Sequence, residues 1–141
     1  DLINVAESGT IMHPKGMENQ LVGGAVWGIG LSGYERHLYD PQNGMPASTG
    51  YWQSKVPTYL DTPVKIGTGW VDLPDPENPV GARGVGEPAQ GSVSAALTAA
   101  ITDALDGHIF GASPITADMI INHVAGTSED SVPLAQNNFR G

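Results

Sequence analysis

Three glycines and a proline surround a single acid in the run Gly81-Ala82-Arg83-Gly84-Val85-Gly86-Glu87-Pro88. Closely spaced glycines let the backbone turn sharply and let a large group lie against it, and the proline fixes the direction in which the chain leaves. A glutamate held this way suits general-base chemistry, which needs a proton acceptor kept within hydrogen-bond reach of its target. The same residues also fit a structural role, an acid in a first helical turn favoured by the helix dipole. A third reading is dinucleotide binding, because Gly84-x-Gly86-x-x-Ala89 fits the fingerprint and Asp103 and Asp106 fall near the position of its ribose-binding acid. Against that reading stand a proline-rich loop where a strand is required, the amide donor deleted by Pro88, and repulsion between Glu87 and a pyrophosphate. A second match, Gly28 to Gly33, lies in a helical stretch and lacks the distal acid.

Other chemistries find less support. The chain has no cysteine, which removes thiol nucleophiles, disulfides, cysteine-ligated zinc and iron–sulfur ligation from this polypeptide. His13, His37, His108 and His123 show neither i,i+4 spacing nor clustering with acids, so no metal site is expected. No G-x-S-x-G elbow occurs. With 15 acidic against 6 basic side chains and a net charge of −9, the chain lacks the cationic surplus of a nucleic-acid binder. Trp27, Trp52 and Trp70 read as core or interface anchors. Gln20 stands just before a glycine-rich stretch, where its amide can both donate to and accept from a heterocycle.

These residues need elements to position them. Leu2 to Val5 reads as a strand. From about Met17 to Tyr34, Leu21, Val22, Ala25, Val26 and Ile29 recur at helical spacing, interrupted by Gly23, Gly24, Gly28, Gly30 and Gly33. Each helical glycine costs roughly 0.8–1 kcal/mol against alanine, so this helix must press against another backbone or a bulky ligand. Residues 36–51 read as a loop or short hairpin turning at Asn43-Gly44. Val64 to Val71 alternates as a half-buried strand, and Leu73 to Pro79 is a proline-rich surface loop. A helix over roughly 88–106 carries the stripe Val93, Ala96, Leu97, Ala100, Ile101, Ala104 and Leu105, opened by Pro88 and stopped by Gly107. A shorter helix over 116–124 follows Pro114 and is expected to bury Met119, Ile120 and Val124. The expected organisation is one domain over 1–125 and a polar tail over 126–141.

No apolar run approaches the ~20 residues of a membrane helix, and the first residues lack the basic region of a signal peptide. The chain starts without methionine, as a fragment or processed subunit would. No internal period is evident.

Three ordered motifs together resemble a known family: Gln20-Leu-Val-Gly-Gly-Ala-Val-Trp-Gly-Ile-Gly, Lys55-Val-Pro-Thr-Tyr-Leu-Asp-Thr-Pro63, and Asn78 to Pro88 followed by an alanine-rich helix. The resemblance is to the C-terminal part of the molybdopterin-binding large subunit of molybdenum hydroxylases, the xanthine dehydrogenase and aldehyde oxidase family. It implies that Glu87 is the catalytic base, taking a proton from a hydroxyl on molybdenum, that Gln20 hydrogen-bonds the pterin, and that Gly84 and Gly86 lie in the cofactor-binding region. It implies water-derived hydroxylation of an aldehyde or aromatic N-heterocycle. The molybdenum–pterin cofactor would be shared with a larger partner chain, with 2Fe-2S and FAD on other chains or domains. It also implies an α+β fold, mixed strands with a Gly-rich helix and a long C-terminal amphipathic helix, completing a larger domain. The expected compartment is the cytoplasm, with the periplasm left open. The alternatives are a non-catalytic structural or interaction module, distinguished by a glycine helix packed on protein and a Glu87 that merely caps, and the dinucleotide-binding domain.

Overall fold

The structure is a computed structural model that describes residues 1–127; most of the polar tail expected over 126–141 lies outside the described residues. Two strands and three helices follow in the order β1 Leu2–Glu7, α1 Pro14–Gly33, a 3-10 turn Tyr59–Asp61, β2 Ile66–Val71, α2 Pro88–Ala104 and α3 Ala117–Ala125. The chain divides into two compact units: residues 1–29 with 57–97, and residues 30–56 with the chain from Thr98 onward.

In the first unit β1 and β2 pair in parallel, with Leu2 opposite Ile66 and Glu7 opposite Val71. The burial of β1 inverts what its composition suggests. Asn4 is the buried residue of the strand, whereas Ile3 and Val5 are exposed. Asn4 is tolerated inside because its amide donates to Leu21 O at 2.9 Å and Ala89 O at 3.1 Å, so one side chain ties β1 to both helices.

Helix α1 begins three residues before its apolar periodicity does. Pro14 occupies the first helical position, where its missing N–H costs nothing, and His13 caps it by accepting from Gly16 N at Nδ1, 2.6 Å. Met17, Leu21, Ala25 and Ile29 form the buried stripe. The glycine expectation holds at two positions. A Cβ on Gly24 would stand 2.5 Å from Ala89 Cβ, and one on Gly28 would stand 2.6 Å from Gln90 O and 2.8 Å from Val93 Cβ. These two glycines therefore let the first turns of α2 lie against α1, and Ser94 Oγ donates to Gly28 O across the same contact. The group pressed against the glycine helix here is protein.

In the second unit, Gly44 takes φ +72° and closes the small hairpin anticipated at Asn43-Gly44, with an isolated bridge between Tyr39 and Pro46. The Asp40 carboxylate accepts from Gln42 N and Asn43 Nδ2, and Lys55 Nζ lies 3.6 Å from the centre of the Tyr34 ring. Gly107, with positive φ, stops α2 as expected and its N–H donates to Thr102 O, while Asp106, read as the last helical residue, already takes φ +53°. Helix α3 ends at Gly126 in the left-handed conformation.

The burial expected on α3 holds only in part, and the stripe on α2 is unevenly covered. Beyond Val93 the stripe of α2 is only half covered: Leu97, Ile101 and Leu105 are half-buried and Ala96, Ala100 and Ala104 are exposed. On α3, Met119 and Ile120 are half-buried, while Val124 is 70% exposed. The periodicity marks faces that call for cover that the described residues do not supply. No helix among them is long and apolar enough to cross a membrane.

Candidate active site

The loop leading to Glu87 is pinned at its start and open at its end. Gly81, at φ +70°, presents its carbonyl to Thr10 N at 2.7 Å and Asp75 N at 2.9 Å, and Arg83 N donates to Ser8 O at 2.7 Å. Asn78 Nδ2 donates to Ala82 O. The Arg83 guanidinium bridges two acids, Glu7 and Asp75, at 2.8 Å each. That ion pair holds the Asp75 carboxyl below its ordinary range, assisted by the Glu77 amide, and raises Arg83 in turn.

Past Arg83 the packing stops. A Cβ on Gly84 or Gly86 would meet nothing within 4 Å, and neither takes a positive φ. Of the glycines in the motif, the sharp turn thus belongs to Gly81. Glu87 directly precedes α2, its carbonyl accepts from Gln90 N at 3.0 Å, and its side chain is exposed. The sequence reading of a clamped carboxylate is corrected on this point: the glycines leave space beside the acid, and no described residue of this chain fills it.

Gln20 is exposed on α1 and borders a groove of about 270 Å³ whose polar wall is formed by Ser8, Thr10, His13 and Arg83. Val85 also lines that groove, so the loop carrying Glu87 and the helix carrying Gln20 meet around one depression, with Glu87 two residues beyond its wall. His13 enters by a route the sequence did not reveal. Because its Nδ1 accepts the Gly16 amide, its proton sits on Nε2, leaving that nitrogen as a donor. The helix-capping position just before Pro14 is the signal that could have found it.

The structure also brings together two residues that the sequence kept apart. The rings of His108 and His123 stack with centroids 3.7 Å apart, and Phe110 meets His108 edge-on. Fourteen residues lie between the two, and His123 sits on α3 while His108 follows α2, so no spacing rule shows the pair. Among the described residues no cluster of three or more potential metal ligands occurs.

The family described as "Molybdopterin cofactor-binding domain" matches residues 1–63, which include Gln20. The gamma subunit of the 6-hydroxypseudooxynicotine dehydrogenase complex of Paenarthrobacter nicotinovorans is 32% identical over 124 residues, covering 87% of this chain and 16% of that protein. The putative xanthine dehydrogenase molybdenum-binding subunit of Escherichia coli K12 is 30% identical, covering 89% of this chain and 17% of the relative. Among solved structures, quinoline 2-oxidoreductase from Pseudomonas putida 86 superposes with a TM-score of 0.79 at 32% identity, covering 89% of this chain and 16% of that one. The chain thus spans about a sixth of the length of the relatives it matches. An alignment of 124 residues within a chain of 141 necessarily reaches across both Gln20 and Glu87.

Proposed function

Because this chain is a molybdopterin-binding segment of the molybdenum hydroxylase family, we propose that it forms one wall of an oxidoreductase active site, with Glu87 as the proton acceptor and Gln20 as a cofactor contact. The observation that carries the reading is the shared depression: Gln20 on one side, the loop of Glu87 on the other, and unfilled space at Gly84 and Gly86.

The residues present fit a molybdenum–pterin group. Gln20 offers an amide donor and an acceptor to a heterocycle, His13 Nε2 adds a donor, and a bulky ligand can approach the glycine backbone without meeting a side chain. When bound, that group supplies the two-electron redox chemistry that no side chain here can perform.

The part left to this chain is to hold and to move a proton. Glu87 Oε accepts it, and an exposed carboxylate beside open space is free to be enclosed by a larger polypeptide that completes the site. The pinned loop fixes where that carboxylate starts: Arg83 is anchored at both its backbone and its guanidinium, four residues before the acid. The reaction is the water-derived hydroxylation of an aldehyde or aromatic N-heterocycle. Partners are the larger molybdopterin-binding chain, an iron–sulfur subunit and an FAD-bearing subunit.

Replacing Glu87 by glutamine in the assembled enzyme keeps the shape and removes the base. Turnover should fall at least about 100-fold, the lower range for a positioned general base, while molybdenum content stays unchanged. Near-normal turnover would refute the assignment. The packing of Gly24 and Gly28 on α2 favours one element of a structural-module reading. A chain isolated as a metal-free homo-oligomer would support that alternative.

A further inference from the structure

We propose that Arg83 is a positioning residue for the proton acceptor, and that Glu7 and Asp75 form with it a clamp that sets where Glu87 stands relative to the groove of Gln20. The proposal rests on the reading of Glu87 as the base, and it names what holds that base in place. The clamp joins three separate stretches of chain. Arg83 Nη1 donates to Glu7 Oε2 at the end of β1, and its Nε donates to Asp75 Oδ2 in the proline-rich loop, both at 2.8 Å. Each carboxylate is itself tethered through its other oxygen. Glu7 Oε1 accepts from Gly9 N at 2.6 Å, and Asp75 Oδ1 accepts from Glu77 N at 3.0 Å. A planar guanidinium bonded along two edges to two tethered acids has its orientation fixed as well as its position.

The effect of the clamp follows from what lies beyond it. The backbone bond from Arg83 N to Ser8 O, at 2.7 Å, and the bridge between Gly9 and Ala82 hold the loop beside the end of β1. Those bonds leave the chain free to pivot at Arg83, and the guanidinium, held on two sides, removes that freedom. The next firmly seated residue is Ala89, fully buried against Gly24 of α1. Between the two, a Cβ on Gly84 or Gly86 would meet nothing, and the half-buried Val85 lines the groove. Glu87 therefore hangs in a short span between a charged anchor and a helix seat. With a reach of at most ~3.6 Å per residue, such a span passes a displacement of either end to its middle. The worth of the clamp lies in geometry. Its ion pairs are partly exposed, and exposed pairs add little to global stability. A misplacement of about 1 Å at a reacting group, by contrast, can cost about 100-fold in rate.

The test uses the intact enzyme, with molybdenum content measured for every variant. Arg83→Gln removes both ion pairs and is expected to lower kcat at least about tenfold, with KM changed by less than about twofold and molybdenum retained. The decisive comparison adds the same change to Glu87→Gln. A residue that acts only through the acid has nothing left to position once the base is gone, so Arg83→Gln should slow Glu87→Gln by less than about twofold. Equal slowing in both backgrounds, a loss confined to KM, or an unchanged kcat in Arg83→Gln overturns the proposal, while the base still stands on the effect of Glu87→Gln alone. Near-normal turnover in Glu87→Gln overturns both. Should Arg83→Gln lose its molybdenum, Asp75→Asn decides, because it keeps Arg83 and the bond to Glu7. A kcat lowered at least about threefold then supports the clamp, and an unchanged kcat overturns it.

Discussion

At the scale of the residue, Glu87 and Arg83 have opposite settings within one short loop. Arg83 is committed, since both its acids are held at 2.8 Å, whereas Glu87 is exposed beside empty space. Asp75 shows how that commitment responds to pH. Its carboxyl titrates below the ordinary 3.8 because of Arg83, so the bridge contributes its stabilisation fully above that value and loses it as pH falls through the lowered one. Asp75→Asn should therefore loosen the loop at neutral pH, read as lower amide protection factors at Gly81 and Arg83, and should remove the Asp75-dependent fall of those protection factors on acidification. Gln20→Ala removes an amide from the groove, and cofactor retention should fall about two- to tenfold, the worth of one hydrogen bond, measured as molybdenum per chain by elemental analysis. The sequence made Glu87 visible because glycine and proline frame it. Its exposure was not legible, since a motif specifies the backbone around an acid and leaves open who encloses it. His13 was missed because the reading began the helix where apolar periodicity began.

At the scale of the element, the glycines of α1 divide into those that touch something and those that do not. Gly24 and Gly28 are covered by α2, and a Cβ at Gly23 would meet nothing. Gly24→Ala should cost about 1–3 kcal/mol through overpacking against Ala89, whereas Gly23→Ala should be neutral or stabilise by up to about 1 kcal/mol through helix propensity. Denaturant midpoints of the two variants check the contrast, and similar shifts would mean that the two helices do not meet as described. Asn4→Ala should cost about 1–3 kcal/mol, because its removal leaves an unfilled polar niche where β1, α1 and α2 are tied. The positions of both strands and all three helices were readable from periodicity, capping residues and prolines. The buried asparagine was not, because alternation in β1 marks Ile3 and Val5 as the inward pair. The alanine face of α2 misled in the same direction: a 3.6-residue repeat records a face that suits cover, and the described residues leave Ala96, Ala100 and Ala104 exposed.

At the scale of the whole molecule, a chain of 141 residues that spans about a sixth of the length of its relatives is proposed to supply one wall of a site that a larger polypeptide completes. The most direct measurement of the central claim is the rate at which substrate reduces the molybdenum centre in a single turnover, compared between the wild-type assembly and Glu87→Gln at equal metal content. The account predicts a rate lowered at least about 100-fold with the metal fully retained. Equal rates in the two proteins would contradict it, leaving Glu87 as an acid that merely starts a helix.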